Sequence, residues 1–168
     1  MRSVPVISAL LYRKHNNTTE IFLQTRWKPE VSPNYTGLLE IPAGVIEAYE
    51  NVYDALRREV YEECGLTIIK IIDDMQWEVI SPREGDRSFI FRPYLCQHVL
   101  ETRDGLPWTG YVFLCEASWE PVMQTSEAKD PQWVSIDELR KLVKEQPELF
   151  FSLQLPALQY FCDNFVAE

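Results

Sequence analysis

The sequence has few basic residues relative to its acidic ones. In 168 residues, 16 Lys and Arg stand against 26 Asp and Glu, giving a net charge of −10. Nucleic-acid backbones recruit Lys and Arg, so this deficit argues against a nucleic-acid-binding protein. It does not argue against a small phosphorylated ligand, provided that metal ions stand between the ligand phosphates and the acidic side chains. The position of the negative charge along the chain therefore bears directly on function.

Long apolar runs and paired cysteines are also missing. Because no run of about 18 apolar residues occurs, we expect no membrane span. The N-terminal segment MRSVPVISALLYRK resembles a signal peptide only superficially; its apolar stretch is short and contains Pro5, so a first β-strand fits it better. The four cysteines are widely spaced among apolar residues, with no C-x-x-C pair. This pattern argues against a zinc site or disulfide framework and predicts reduced core thiols in a cytoplasmic protein.

The sequence does contain enough apolar material for a core, with 46% apolar and 12% aromatic residues. Its length predicts one domain over residues 1–168. Strand patterns joined by loops alternate with a few helical patterns, which predicts an α/β protein of the α+β type with a mixed sheet flanked by helices. We predict strands over 4–12, 20–26, 67–80, 88–99, 109–116 and 132–134, and helices over 51–64, 135–144 and about 156–164.

The densest acidity lies in residues 44–66, which contain two basic and six acidic residues and no lysine. Asn51 and Gly65 are the start and stop signals of a helix within this segment. On a helical wheel, Glu59, Glu62 and Glu63 form an arc that begins at the edge of the apolar face. A merely solvated face explains them poorly, because Glu59 and Glu63 are a like-charge pair one turn apart. Converging carboxylates favour a hard divalent cation such as Mg²⁺.

Residues 44–66, GVIEAYENVYDALRREVYEECGL, resemble the Nudix box, G-x5-E-x7-R-E-U-x-E-E-x-G-U, in which U is a bulky aliphatic residue. The preceding Ile-Pro-Ala also looks like the usual lead-in, and a looser resemblance spans most of the chain. It implies the Nudix α/β/α sandwich with a mixed, largely antiparallel sheet. Every fixed position of the box is met: Gly44, Glu50, Arg58, Glu59, Val60, Glu62, Glu63, Gly65 and Leu66.

The resemblance implies hydrolysis of the pyrophosphate bond in a nucleoside diphosphate linked to another moiety, with Mg²⁺ or Mn²⁺ as cofactor. It implies metal binding by Glu59, Glu63 and the main-chain carbonyl of Ala43. Glu62 would be a further ligand or the general base, and Arg58 would orient the carboxylates. Structural roles are implied for Gly44, Glu50 and Gly65.

Residues outside the box are candidates to complete the site. The family often adds a carboxylate from a late loop, and Glu127 is our candidate, with Glu116 and Glu120 as rivals and an exposed loop acid as the plain alternative. Arg26 ends a predicted strand and is a candidate to bind a phosphate, unless it forms a surface ion pair. Trp27 is our candidate to stack on a base, although aromatic residues usually just pack. Other aromatic candidates are Tyr35, Trp77 and Trp108.

The substrate is less well indicated. Nudix members that cleave ADP-ribose tend to carry a proline sixteen residues beyond the box, and Pro82 occupies that position, although Arg83 follows it where an SPG-type motif would continue. We therefore favour ADP-ribose or a nucleotide sugar over a nucleoside triphosphate of the ordinary or oxidised kind. A non-catalytic nucleotide sensor is a further alternative. The expected partner is a small-molecule nucleotide, without nucleic acid or membrane, and a homodimer is left open.

Overall fold

Two long strands joined by a tight turn begin the fold. In the computed structural model, which describes residues 3–78, 81–118, 120–122 and 126–166, β1 (Val4–His15) pairs antiparallel with β2 (Thr18–Arg26). The turn residues Asn16 and Asn17 have φ values of 47° and 61°. Asn tolerates this left-handed conformation better than most residues, which suits a two-residue hairpin turn. Both strands are longer than the sequence predicts.

The other elements follow in chain order. They are β3 (Leu39–Glu40), β4 (Ala43–Val45), α1 (Val52–Cys64), β5 (Ile68–Ile71), β6 (Gln76–Glu78), β7 (Phe89–Phe91), β8 (Leu95–His98), β9 (Trp108–Ala117), β10 (Ala128–Ser135), α2 (Ile136–Glu145) and α3 (Leu155–Asn164).

Eight strands form one mixed sheet in the order β10-β2-β1-β9-β5, with β3 beside β2, β4 beside β1 and β8 beside β9. The long pair β1 and β9 is parallel, whereas the other pairings in this sheet are antiparallel. Strands β6 and β7 form a separate antiparallel ribbon. The predicted mixed, largely antiparallel sheet is confirmed.

The sheet separates two apolar cores, as alternation along β2 illustrates. Phe22 packs with Leu56 of α1 on one face. Leu23, the next residue, packs with Leu139 of α2 and Phe161 of α3 on the other face. Successive strand residues point to opposite faces, so the continuous apolar run in β2 serves both cores. The predicted α/β/α sandwich is confirmed.

Two segments that were each predicted as one strand are wrong, because each contains two separate strands. The segment predicted as one strand over 67–80 contains β5 and β6, separated by a turn in which Asp73 has φ 52°; residues 79–80 lie outside the described part. The segment 88–99 likewise contains β7 and β8, with Pro93 between them. Proline has no backbone N–H to donate to a sheet, which explains the interruption.

The cysteines depart from the prediction at one position. Cys64, Cys115 and Cys162 are buried, whereas Cys96 is exposed on β8; all four thiols are free. The strand β8 lies at an edge of the sheet and alternates between half-buried and exposed residues, which places Cys96 on the solvent side. No helix in the described residues is long and apolar enough to span a membrane.

Candidate active site

The acidic helix α1 begins and ends where the sequence predicts. The Asn51 side chain accepts a hydrogen bond from the Tyr53 N–H, and Gly65 adopts φ 67° at the carboxyl end. Between these caps the three glutamates differ in burial: Glu63 is only 2% exposed, Glu59 is half-buried and Glu62 is exposed. The arc predicted at the edge of the apolar face therefore runs from the interior to solvent.

Glu63 is the buried end of this arc and is held on both carboxylate oxygens. Its Oε2 accepts hydrogen bonds from Gln24 Nε2 at 2.8 Å and from the Ala43 N–H at 3.1 Å. Its Oε1 lies 3.5 Å from Lys28 Nζ. Burial, together with the neighbouring Glu40 carboxylate, raises the pKa of Glu63 to about 8. The local environment therefore lacks sufficient positive charge for a buried carboxylate.

Arg58 ties the exposed part of the arc to the loop before the helix. Its guanidinium donates to Glu50 at 2.8 and 2.9 Å, to Glu59 at 2.6 Å and to the Val45 carbonyl at 3.1 Å. The weakest of its ion pairs is with Glu62, at 3.3 Å. The bidentate bond from Arg58 lowers the pKa of Glu50 to about 2. This geometry suits the orienting role implied for Arg58 and the structural role implied for Glu50.

Gly44 lies directly against the Glu59 carboxylate. A Cβ atom at position 44 would lie 1.8 Å from Glu59 Cδ and 2.1 Å from each carboxylate oxygen. Gly44 does not have a positive φ, so the position needs glycine for space rather than for a left-handed backbone. Since Ala43 N–H bonds to Glu63, the backbone of β4 borders both glutamate carboxylates.

Glu127 reaches the acidic helix through a lysine that the sequence analysis did not single out. Lys28 Nζ forms an ion pair with Glu127 as well as with Glu63. The backbone supports this placement, because the Trp27 N–H donates to the Glu127 carbonyl at 2.7 Å. Glu127 thus lies immediately before β10, beside the end of β2.

The rivals of Glu127 lie elsewhere. Glu120 is near Arg13, with 3.9 Å between the charged atoms, and Glu116 lies within β9 opposite Lys70 of β5. The placement of Glu127 relative to Lys28 therefore favours it among the three.

Beneath these groups lies a buried network that the sequence analysis missed. Gln24 Nε2 bridges the carboxylates of Glu40 and Glu63, at 3.3 and 2.8 Å. Arg26 donates to Glu40 at 2.9 Å and to Ser32, and its guanidinium lies over the Phe151 ring. Register explains the grouping, because Gln24 in β2 pairs directly with Glu40 in β3. The guanidinium is engaged by Glu40 and Ser32, and phosphate binding by Arg26 stays a prediction.

Trp27 is a half-exposed aromatic side chain beside the carboxylates. Trp27 is 38% exposed as a residue, and Lys129 Nζ lies 3.4 Å from its ring centroid. Among its rivals, Tyr35 is buried and Trp77 is exposed on the β6–β7 ribbon. Trp108 packs next to Gly110 at the start of β9. Only the position of Trp27 is linked by the contacts described above to Glu127 and Lys28.

The donor atoms and the charge of this site suit a divalent metal ion. Within the described part of the chain, no three acidic, His or Cys side chains converge closely enough to hold a metal as they stand. However, Lys28 already occupies a cation position between Glu63 and Glu127, and the carboxylates supply only oxygen donors. Six linked carboxylates share three cations: Glu40, Glu50, Glu59, Glu62, Glu63 and Glu127 against Arg26, Lys28 and Arg58. The deficit of positive charge is what a metal would reduce.

Comparisons with known proteins agree with this arrangement. The model of the NUDIX domain matches residues 2–153. An RNA pyrophosphohydrolase of Bartonella clarridgeiae is 30% identical over 116 residues; the match covers 63% of this chain and 61% of that protein, less than two thirds of its length.

Among solved structures, the NUDIX domain of Shewanella oneidensis NrtR, complexed with ADP ribose, has a TM-score of 0.64 at 12% identity and covers 95% of this chain and 86% of its own. A possible asymmetric diadenosine tetraphosphate hydrolase of Jonesia denitrificans has a TM-score of 0.66 at 11% identity. The match covers 100% of this chain and 99% of that chain. At these identities, the similarities show the fold alone.

Proposed function

The chain belongs to the NUDIX domain family, and from this premise we propose that it is a pyrophosphohydrolase dependent on Mg²⁺ or Mn²⁺. The bond cleaved is the pyrophosphate bond of a nucleoside diphosphate linked to another moiety. The observation that carries the proposal is the ion-pair chain from buried Glu63 through Lys28 to Glu127. It joins the acidic helix to a carboxylate outside the box, beside a backbone segment that borders Glu59 and Glu63.

The proposed ligands of the metal are the carboxylates of Glu59 and Glu63 and the carbonyl of Ala43, with Glu62 as a further candidate. A bound Mg²⁺ would neutralise the pyrophosphate and lower the pKa of the attacking water. Glu62 and Glu127 are exposed at 51% and 55%, so each has room to accept the proton from that water and return it to solvent. Arg58 keeps Glu59 in position through the 2.6 Å ion pair.

Trp27 is the residue that we assign to the nucleotide base. Its partly exposed ring lies next to the Lys28 and Glu127 pair, so a base stacked there would place its phosphates near the carboxylates. The products would be a nucleoside monophosphate and a phosphorylated second group. We place the reaction in the cytoplasm with a small-molecule substrate, and the possible homodimer stays a prediction.

Two substrate classes are supported by different observations. Pro82, in the connection between β6 and β7, favours ADP-ribose or a nucleotide sugar. The similarity to an RNA pyrophosphohydrolase, at 30% identity, favours a pyrophosphate bond carried by an RNA. Nucleoside triphosphates of the ordinary or oxidised kind are the alternative that the family resemblance implies. A sensor without turnover is the third possibility, and the intact box argues against it.

A substrate panel tests the proposal. Wild-type protein is incubated with Mg²⁺ and ADP-ribose, a nucleotide sugar, nucleoside triphosphates including 8-oxo-dGTP, and a 5′-triphosphorylated RNA oligonucleotide, and products are identified by mass. We expect cleavage within a pyrophosphate bond and a loss of roughly 10³-fold in Glu63→Gln, because a metal ligand is removed. Absence of turnover on every compound, or undiminished turnover in the variant, would refute the proposal.

A further inference from the structure

Lys28 occupies an unusual position between the acidic helix and Glu127. Its side chain is 17% exposed, and its ammonium lies between the 3% exposed Glu63 side chain and the 55% exposed Glu127 side chain. The ammonium therefore stands at the boundary between the interior and solvent, with one carboxylate on each side.

The contacts of Lys28 use oxygen atoms that a metal would need. Glu63 Oε2 is already engaged by Gln24 and the Ala43 N–H, so Oε1, which faces Lys28, is the oxygen with capacity for a cation. An ammonium and a divalent ion beside the same oxygen repel each other, so each disfavours the other there. The same competition applies at Glu127 Oε2. Binding of a metal there therefore competes with Lys28.

We propose that Lys28 is an internal cation that holds Glu63 and Glu127 in place before the metal binds, is displaced by the metal, and then contacts the phosphates of the substrate. The inference rests on the proposed function, since it takes Glu63 as a metal ligand. It assigns to Lys28 a positioning role in the metal-free protein and a substrate-binding role in the loaded protein. The exposed side of the site, beside Glu127, is the direction in which the ammonium can move.

Two binding measurements with opposite expected signs test this role. In Lys28→Met, the half-saturating Mn²⁺ concentration, measured by calorimetry or by the electron paramagnetic resonance signal of free Mn²⁺, should fall roughly tenfold because the competing charge is gone. At saturating Mn²⁺, binding of methylenediphosphonate, a non-hydrolysable pyrophosphate, should weaken roughly tenfold because a phosphate contact is lost. Lys144→Met is the matched control, since it removes the same charge from an exposed position on α2.

A measurement on the wild type avoids dependence on the folding of the variant. The rate of reductive methylation of Lys28, followed by mass spectrometry of peptides, should rise when Mn²⁺ saturates the protein, while the rate at Lys144 stays constant. A permanent structural ion pair would give an unchanged or lower rate at Lys28. With a permanent structural ion pair, Lys28→Met would also bind Mn²⁺ as tightly as the wild type or more weakly.

The outcomes separate this inference from the proposed function. Turnover in the substrate panel with unchanged Mn²⁺ affinity in Lys28→Met, or unchanged methylation of Lys28, would overturn the role of Lys28 alone. Competition between Lys28 and Mn²⁺ without turnover on any substrate would leave the displacement intact and refute the enzymatic proposal. Failure of the wild type to bind Mn²⁺ or methylenediphosphonate would overturn the role of Lys28 directly.

Discussion

The substitution Gly44→Ala should weaken metal binding and leave the free energy of unfolding nearly unchanged. A Cβ atom at position 44 would lie 1.8 Å from Glu59 Cδ, whereas a relaxed contact needs about 3.5 Å, so the Glu59 carboxylate must retreat by roughly 1.5 to 2 Å. In a metal site, metal–ligand distances lie within about 0.2 Å of their usual values. The carboxylate would therefore leave the proposed coordination position, and Mn²⁺ affinity should fall 10- to 100-fold.

The same substitution should change the free energy of unfolding little. The atom that must move is the end of a flexible, half-buried side chain, so its displacement mainly costs the ion pair with Arg58, about 0 to 1 kcal/mol. The replacement of glycine by alanine restricts the unfolded chain and offsets about 0.4 to 1 kcal/mol of this cost. We therefore expect a change within about 1 kcal/mol.

Calorimetric titration with Mn²⁺ and urea unfolding, performed on the same samples, are the assays. The control is Gly110→Ala, in which the Cβ atom would meet the Trp108 ring at 2.7 Å. A ring moves less easily than a carboxylate, so this variant should lose about 1 to 3 kcal/mol of stability and keep its Mn²⁺ affinity. Unchanged Mn²⁺ binding in Gly44→Ala would contradict the metal-binding position assigned to Glu59. A Gly44→Ala protein that does not fold would contradict the small change expected in stability.

Three further predictions concern stability and reactivity. Arg58 holds the pKa of Glu50 at about 2. The stabilisation of about 1 kcal/mol from this pair should therefore be complete above pH 4.5 and disappear as the pH falls towards 2. The free energy of unfolding of Glu50→Gln in urea should differ from that of the wild type at pH 7 and match it at pH 2. One thiol per native chain, that of Cys96, should react rapidly with Ellman's reagent, and Cys96→Ser should abolish the fast phase. Leu56→Ala should cost about 3 kcal/mol in urea unfolding, because Leu56 is fully buried; a cost below about 1 kcal/mol would contradict the assigned core.

The parts of the site that lie on α1 could be predicted from the sequence because their determinants are local. The helix caps at Asn51 and Gly65 and the apolar face are set by residues a few positions apart, and the structure confirms them. The wheel also placed the glutamates at the edge of the buried face. It did not separate the buried Glu63 from the exposed Glu62, since that depends on what packs against the helix.

The residues that the sequence analysis missed come from other elements. Gln24, Lys28 and Glu40 meet Glu63 only because β2 pairs with β3 in one register and lies beside α1. A signal existed at Gln24, which directly follows the three apolar residues of β2 and lies two residues after Phe22, on the face towards α1. Because Glu63 lies far from these partners along the chain, no local sequence pattern connects it to them.

The Mg²⁺ dependence of product formation tests directly whether Glu63 binds the metal of a pyrophosphohydrolase. It is followed by ³¹P NMR on the best substrate of the panel, with wild type and Glu63→Gln. We predict no turnover without Mg²⁺, saturable turnover with it in the wild type, and nucleoside monophosphate as a product. In Glu63→Gln the rate should be roughly 10³-fold lower at saturating Mg²⁺. Turnover that persists in a metal chelator, or equal rates for the two proteins, would contradict the assignment of Glu63 as a metal ligand in a pyrophosphohydrolase.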